Sequence, residues 1–183
     1  MKLLDVFEVI EKRRSIRKFK PNPIAKEHLK KILEAGRLAP SGGNRQPWYF
    51  IIIRELEAKK ALSIVANNQK FIAEADTVIV VLGDPGMETK MPYKLSSTRV
   101  PYLQDPMIAV EHMILAATAL GYGTCWIGAF NENEVKKILR IPENLAVIAL
   151  LPIGVPDENP LPRPRKAFNE IFFKESHGVP LEL

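Results

Sequence analysis

Apolar positions along the chain follow two rhythms. From residue 3 to 13, Val6, Val9, Ile10 and Arg13 stand at i, i+3, i+4 and i+7, so the pattern predicts a short amphipathic helix whose face ends on an arginine. A second helix is predicted over 25–38, with Leu29, Ile32, Leu33 and Gly36 on one face, and a third over 55–67, with Ala58, Ala61, Leu62 and Val65. Residues 105–120 are apolar nearly all round, which marks a central helix; Asp105 is read as its cap and Pro106 as its first helical position. Asn131-Glu132-Asn133-Glu134 reads as a capping box opening a helix to Leu139. Between these lie runs with strand character: 48–53, aromatic and β-branched; 77–82, continuously apolar and suited to burial on both faces; and 146–155, broken late by Pro152.

The connections read differently. Pro21 and Pro23 mark a linker, and residues 39–44 form a dense breaker cluster. Residues 84–104 hold three prolines and no clear period, and read as a loop. Five prolines between 152 and 164 make that segment extended and stiff, and 167–175 forms a last helix or strand before the tail. This order predicts an α+β sandwich of helices around one sheet, not a strictly alternating βαβ fold.

At 183 residues the chain reads as one domain, 1–183, able to build a core without staples. With 46 % hydrophobic and 26 % charged residues, wholesale disorder is excluded. One cysteine, Cys125, rules out an internal disulfide framework or a four-cysteine zinc site and fits a reducing, cytoplasmic setting. A net charge of +5 permits an anionic ligand and demands none. Asp5 and Glu8 follow Met1 too soon for an export signal, and the longest uncharged stretch, 113–131, is interrupted by Gly121, Gly123 and Gly128, so a soluble chain without a membrane span is expected.

Several chemistries fail on spacing. Gly121, Gly123 and Gly128 miss the dinucleotide fingerprint, because the third glycine comes five residues after the second and the loop follows a helix. There is no P-loop; His28, His112 and His177 are far apart; and Ser41 lies outside any nucleophile elbow. Cys125 reads as a buried, inert thiol.

Three basic or glycine-rich segments remain. Arg13-Arg14-Ser15 with Arg17 gathers three guanidiniums and a hydroxyl within five residues, a cradle for a dianionic phosphate unless it is a solvated basic turn. Pro40-Ser41-Gly42-Gly43-Asn44-Arg45-Gln46-Pro47-Trp48 offers close backbone approach and mixed donors and acceptors for the edge of a heteroaromatic ring, beyond what a plain helix-to-strand connection needs. Leu161-Pro162-Arg163-Pro164-Arg165-Lys166 fixes an extended backbone with Arg163 and Arg165 on one side; it is a linker with solvated charges or a second phosphate contact.

In this order, together with Ala-Leu-Gly-Tyr-Gly-Thr-Cys-Trp-Ile-Gly after the central helix and Leu-Pro-Ile-Gly-Val-Pro before the last basic run, these segments resemble the FMN-dependent nitroreductase family over essentially the whole chain. The resemblance implies a three-layer fold with a mixed, mostly antiparallel sheet flanked by helices. It also implies a homodimer with an exchanged C-terminal segment and two FMN molecules at the subunit interface. By the same resemblance Arg13, Arg14, Ser15 and Arg17 hold the FMN phosphate, ribityl chain and one ring edge, and Arg163 and Arg165 close on the phosphate. Pro40, Ser41, Gly42, Asn44 and Gln46 reach the flavin from the other subunit. Trp126, Ile127 and Gly128 lie beside the ring, where a backbone N–H can meet N5. An Asn-x-x-Lys flavin contact matches Asn67 with Lys70, with Asn68 as the neighbouring register.

The implied chemistry belongs to the flavin: NADH or NADPH delivers hydride and leaves, and a nitroaromatic, quinone or flavin acceptor enters the same face. No protein side chain need be a nucleophile or metal ligand. The same fold also admits dehalogenating, ene-reducing or dehydrogenating chemistry. From a different class, a nucleic-acid-binding module would use residues 13–20 and 163–166, though no helix-turn-helix, KH or RRM signature is present.

Overall fold

The computed structural model describes residues 5–90 and 100–181. In chain order its elements are α1 (Val6–Lys12), β1 (Phe19–Lys20), α2 (Lys26–Arg37), β2 (Trp48–Ile53), α3 (Leu56–Val65), α4 (Phe71–Glu74), β3 (Thr77–Gly83), α5 (Pro101–Ala119), β4 (Gly123–Thr124), α6 (Glu132–Leu139) and β5 (Ala146–Pro156). The strands form one sheet in the order β1-β5-β3-β2, with β4 also paired to β5. Every named strand pair is antiparallel. A parallel bridge between Ser15 and Thr124 supplies the mixed element.

The continuous apolar run of β3 is explained by its position: all seven residues are buried, because helices cover both faces of the sheet. Side chains alternate along it. Val78, Val80 and Leu82 pack with Leu62, Ile72 and Val135 under α3, α4 and α6. Ile79 and Val81 turn the other way, onto Ile32 of α2 and Val110 and Met113 of α5. Each such fully buried side chain contributes about 1.5–3 kcal/mol of transfer free energy, so the two faces hold the three layers together.

Four local readings are corrected. The central helix starts at Pro101, not at Asp105. Pro101 takes the first turn, where a missing N–H is no loss, and Pro106 sits inside the helix. Residues 101–104, expected as loop, are therefore helical, Pro85–Lys90 forms a 3-10 turn, and 91–99 lie outside the described residues. The carbonyl of Tyr102 comes so close to Gly83 that a Cβ there would stand 2.1 Å from it, which fixes glycine at the end of β3. Second, Pro152 does not break β5. Its carbonyl accepts the Cys125 N–H at 3.3 Å, so the edge on which it lacks a donor faces the irregular segment after β4 and not the β3 ladder.

Third, the two-residue strands β1 and β4 and the one-turn helix α4 were not expected. Fourth, α1 begins at Val6, because Asp5 and Glu8 close a reciprocal capping box. The expected box at Asn131 is half-formed: its side chain accepts the Glu134 N–H at 3.2 Å. At the far end, 168–170 is a 3-10 turn and Phe173 bridges Pro180. Among the described residues no helix is long and apolar enough to cross a membrane.

Candidate functional site

The C-terminal end of α1 and the segment after β5 face each other across a cleft of about 560 Å³. Arg13, Arg14, Ser15 and Arg17 line one wall, and Arg163 and Arg165 line the other. Six sequence candidates, 146 residues apart or more between walls, thus meet in one place. Ile10 and Glu11 line it as well, and no motif pointed to them; Leu161, the first residue of the last basic segment, lines it too. The size lies in the range of small-molecule sites.

Backbone pairing sets this geometry. Ile16 N–H donates to the Thr124 carbonyl at 2.8 Å, pinning the arginine turn to β4. Phe19 and Lys20 pair with Pro156 and Val155, and Asp157 N–H reaches the Lys18 carbonyl at 2.9 Å. The Arg17 N–H then donates to the Glu158 carboxylate. Arg14 is held to the helix end, donating through Nη1 to the Glu11 and Arg13 carbonyls at 2.5 and 2.8 Å. Among the described residues, Arg13, Arg17, Arg163 and Arg165 form no ion pair. Cations gathered without direct ion pairs are the electrostatic footprint of an anion site.

The segment after β4 runs beside β5. Cys125 and Ile127 donate their N–H groups to the Pro152 and Leu150 carbonyls. By the alternation of an extended chain, the Trp126 and Gly128 N–H groups point away from β5. Ile127 is therefore no free donor, whereas Trp126 is 38 % exposed and Gly128 is exposed. Asn67 joins this segment: with a left-handed φ of 58° it donates through Nδ2 to the Ala129 carbonyl at 3.3 Å. Lys70 is exposed at the start of α4.

Pro40, Ser41, Gly42, Asn44 and Gln46 do not line the arginine cleft. They form a self-braced turn. Gln46 N–H donates to Ser41 Oγ at 2.9 Å, and Gln46 Nε2 donates to the Asn44 carbonyl and Oδ1 at 3.1 and 3.2 Å. Gly42 N–H donates to Asp105 at 3.0 Å. Asp105 is thus an anchor for this turn and not a helix cap. His28 bonds Tyr122 Oη at 2.9 Å and His112 faces the Ala35 carbonyl at 3.2 Å, so both histidines serve packing between elements.

The sequence profile of the Nitroreductase family matches residues 10–66 and 57–155. The chain belongs to the nitroreductase family. An Archaeoglobus fulgidus protein whose name pairs NADH dehydrogenase with NAD(P)H nitroreductase is 37 % identical over 158 residues, 84 % of this chain and 87 % of that protein. A nitroreductase family protein from Clostridium novyi NT superposes with a TM-score of 0.78 at 36 % identity, covering 97 % of both chains. The Vibrio harveyi NADPH:FMN oxidoreductase complexed with NAD+ gives a TM-score of 0.85 at 27 % identity, covering 97 % of this chain and 79 % of that one. The α+β architecture with its mixed sheet is the nitroreductase fold, and the chain is an oxidoreductase of this type.

In this nitroreductase Cys125 follows β4 and is buried in the core, 2 % exposed. Burial pushes its thiol above the usual range, against the opposite pull of Arg17 and Arg13; the Glu158 charge adds to the rise. The folded thiol therefore keeps its proton to higher pH than the unfolded one. Above about pH 8.5, where an unfolded thiol ionises, the unfolded state binds fewer protons and folding stability falls as pH rises. Urea unfolding of the parent and of Cys125→Ala across this range is expected to show a steeper alkaline decline in the parent; equal slopes would refute it. Native Cys125 is also expected to resist a water-soluble alkylating reagent at neutral pH.

Proposed function

We propose that this nitroreductase is an FMN-dependent NAD(P)H oxidoreductase that acts as a homodimer and reduces nitroaromatic, quinone or flavin acceptors. The carrying observation is the cleft with Arg13 and Arg17 on one wall, Arg163 and Arg165 on the other, and no ion pair on any of them among the described residues. Such a donor set fits a phosphate dianion, and the segment with outward N–H groups at Trp126 and Gly128 fits the edge of a flat ring. The Vibrio harveyi structure, an NADPH:FMN oxidoreductase with NAD+, supports both the cofactor and the co-substrate class. A nucleic-acid surface would spread its arginines over an open face, whereas here they converge in a cleft.

FMN, when bound, supplies the group that takes hydride from a nicotinamide and returns it to an acceptor. The protein's part is to bind and orient. Arg13, Ser15, Arg17, Arg163 and Arg165 would hold the phosphate end, each charge-assisted contact contributing about 1.5–3 kcal/mol. Asn67, Lys70, Trp126 and Gly128 would face the ring. The chain has no dinucleotide fingerprint, so nicotinamide and acceptor share one open face and take turns. Anaerobic NADH or NADPH is expected to bleach the purified yellow protein with no acceptor present, and a quinone or nitroarene to restore its colour. Double-reciprocal plots at several fixed acceptor concentrations are expected to be parallel; intersecting lines with no bleaching would exclude the shared-face reading.

The phosphate assignment has its own test. Arg17→Ala and Arg165→Ala are each expected to weaken FMN binding about 10- to 100-fold, while riboflavin, which lacks the phosphate, binds mutant and parent nearly alike. Equal loss of both ligands would assign these arginines to the fold.

The homodimer rests on apolar surface that water does not tolerate. Phe7 is 79 % exposed and Leu161 85 %, with Met107 and Ile108 of α5 and Phe168, Ile171 and Phe172 of the C-terminal segment also open. We infer that the C-terminal segment packs across a second copy and that the Ser41–Gln46 turn of that copy completes the flavin site. Light scattering is expected to give twice the 20.6 kDa of one chain, and a stable flavin-loaded monomer at micromolar protein would refute it.

A further inference from the structure

We propose that Glu158 is a positioning residue of the arginine cleft: its carboxylate, by holding the Arg17 N–H, sets the distance between the two arginine walls. The proposal rests on the reading of the cleft as the site of the FMN phosphate.

An acidic side chain is the wrong charge for an anion site, so its presence needs a reason other than ligand contact. The structure supplies one. Antiparallel pairing zips the arginine turn to the end of β5: Lys20 opposite Val155, Phe19 opposite Pro156, then Asp157 N–H on the Lys18 carbonyl at 2.9 Å. The next contact is made by a side chain, because the Arg17 N–H finds no backbone carbonyl among the described hydrogen bonds. Glu158 reaches back and accepts the Arg17 N–H. Past this point residues 159–166 have no backbone hydrogen bond to the body among the described residues. The Glu158–Arg17 contact is thus the last tether before the chain enters the wall bearing Arg163 and Arg165.

The tether also lies at the right depth. Glu158 is half-buried, and it stands in the chain two residues before Pro160, where the lining of the cleft begins. Two properties of the carboxylate are therefore opposed. As an acceptor it aligns the walls; as a negative charge it weakens the site for a phosphate. Substitution separates them. Glu158→Gln keeps an acceptor oxygen and removes the charge, whereas Glu158→Ala removes both.

Parent, Glu158→Gln and Glu158→Ala are compared by fluorescence titration with FMN and with riboflavin, alongside thermal unfolding. Glu158→Ala is expected to bind FMN at least tenfold more weakly, with riboflavin changed less than twofold and unfolding temperature preserved. Glu158→Gln is expected to bind FMN as tightly as the parent or more tightly. The proposal is overturned if Glu158→Ala binds FMN as well as the parent, if Glu158→Gln is as weak as Glu158→Ala, or if FMN and riboflavin affinities fall together. Should Glu158→Ala not fold, Glu158→Asp, one methylene short of the Arg17 amide, replaces it with the same expectations. If the parent binds neither flavin, the flavin reading fails on its own. Glu158 is then judged by inorganic pyrophosphate affinity and by hydrogen exchange at the Arg17 amide. Both must worsen in Glu158→Ala and hold in Glu158→Gln, or the proposal falls too.

Discussion

The geometry of the site depends on the two edges of β5. One edge is given to β3 over nearly its whole length, which builds the core. The other edge is shared by three short pieces: β1 at its end, β4 in the middle and the Ile127 bridge to Leu150 below. Each piece carries part of the candidate site. β1 follows the arginine turn, β4 leads into Trp126 and Gly128, and the chain leaving β5 becomes the wall with Arg163 and Arg165. A register slip of one residue on this edge would turn the side chains to the opposite face and separate the walls. The close approach of Gly123 to Ile16, where a Cβ would stand 2.6 Å from Cγ1, shows how little freedom remains there.

This division explains what the sequence made legible. The central strands and the long helices were readable because burial on one or both faces writes itself as apolar periodicity. Strands of two residues write nothing: Phe19–Lys20 and Gly123–Thr124 are strands only because β5 lies beside them. Proline was misjudged twice. Pro152 would break β5 only where its missing N–H was needed, and tertiary context decides that; Pro106 was placed at the first helical position because the true start at Pro101 lies in a stretch without a clear period. The arginines of the site were visible because their chemistry is unusual at that density. Glu158 and Asp105 were not, since a carboxylate that holds a distant backbone N–H looks in sequence like a solvated charge or a helix cap.

Gathering arginines has a cost that the fold offsets locally. Two unit charges about 8 Å apart repel by about 2 kcal/mol at the effective dielectric of a protein surface. The turn sits at the C-terminal end of α1, where unpaired carbonyls carry partial negative charge, and Arg14 donates directly to two of them. Glu11 lines the same cleft and the Glu158 carboxylate sits at the Arg17 backbone N–H, so both bring negative charge near the arginine turn. The gathered charges are therefore tolerable, while a dianion would find donors on both walls already placed, with little ordering left to do.

The Ser41–Gln46 turn shows the opposite imbalance. Gly43, Asn44 and Gln46 all take left-handed backbone angles, and such strain at a non-glycine residue costs of order 1–3 kcal/mol. Asp105, a buried carboxylate, anchors the turn through the Gly42 N–H. Strain of this kind persists where surrounding structure over-determines it, and it clusters at binding sites. Yet none of these residues lines the arginine cleft of its own chain. A turn held in a costly shape by its own hydrogen bonds, yet apart from the cleft of its own chain, is explained if it serves the cleft of another copy. On that reading the strain in one subunit is offset by the ligand contacts of the other, and neither half of the site is complete alone.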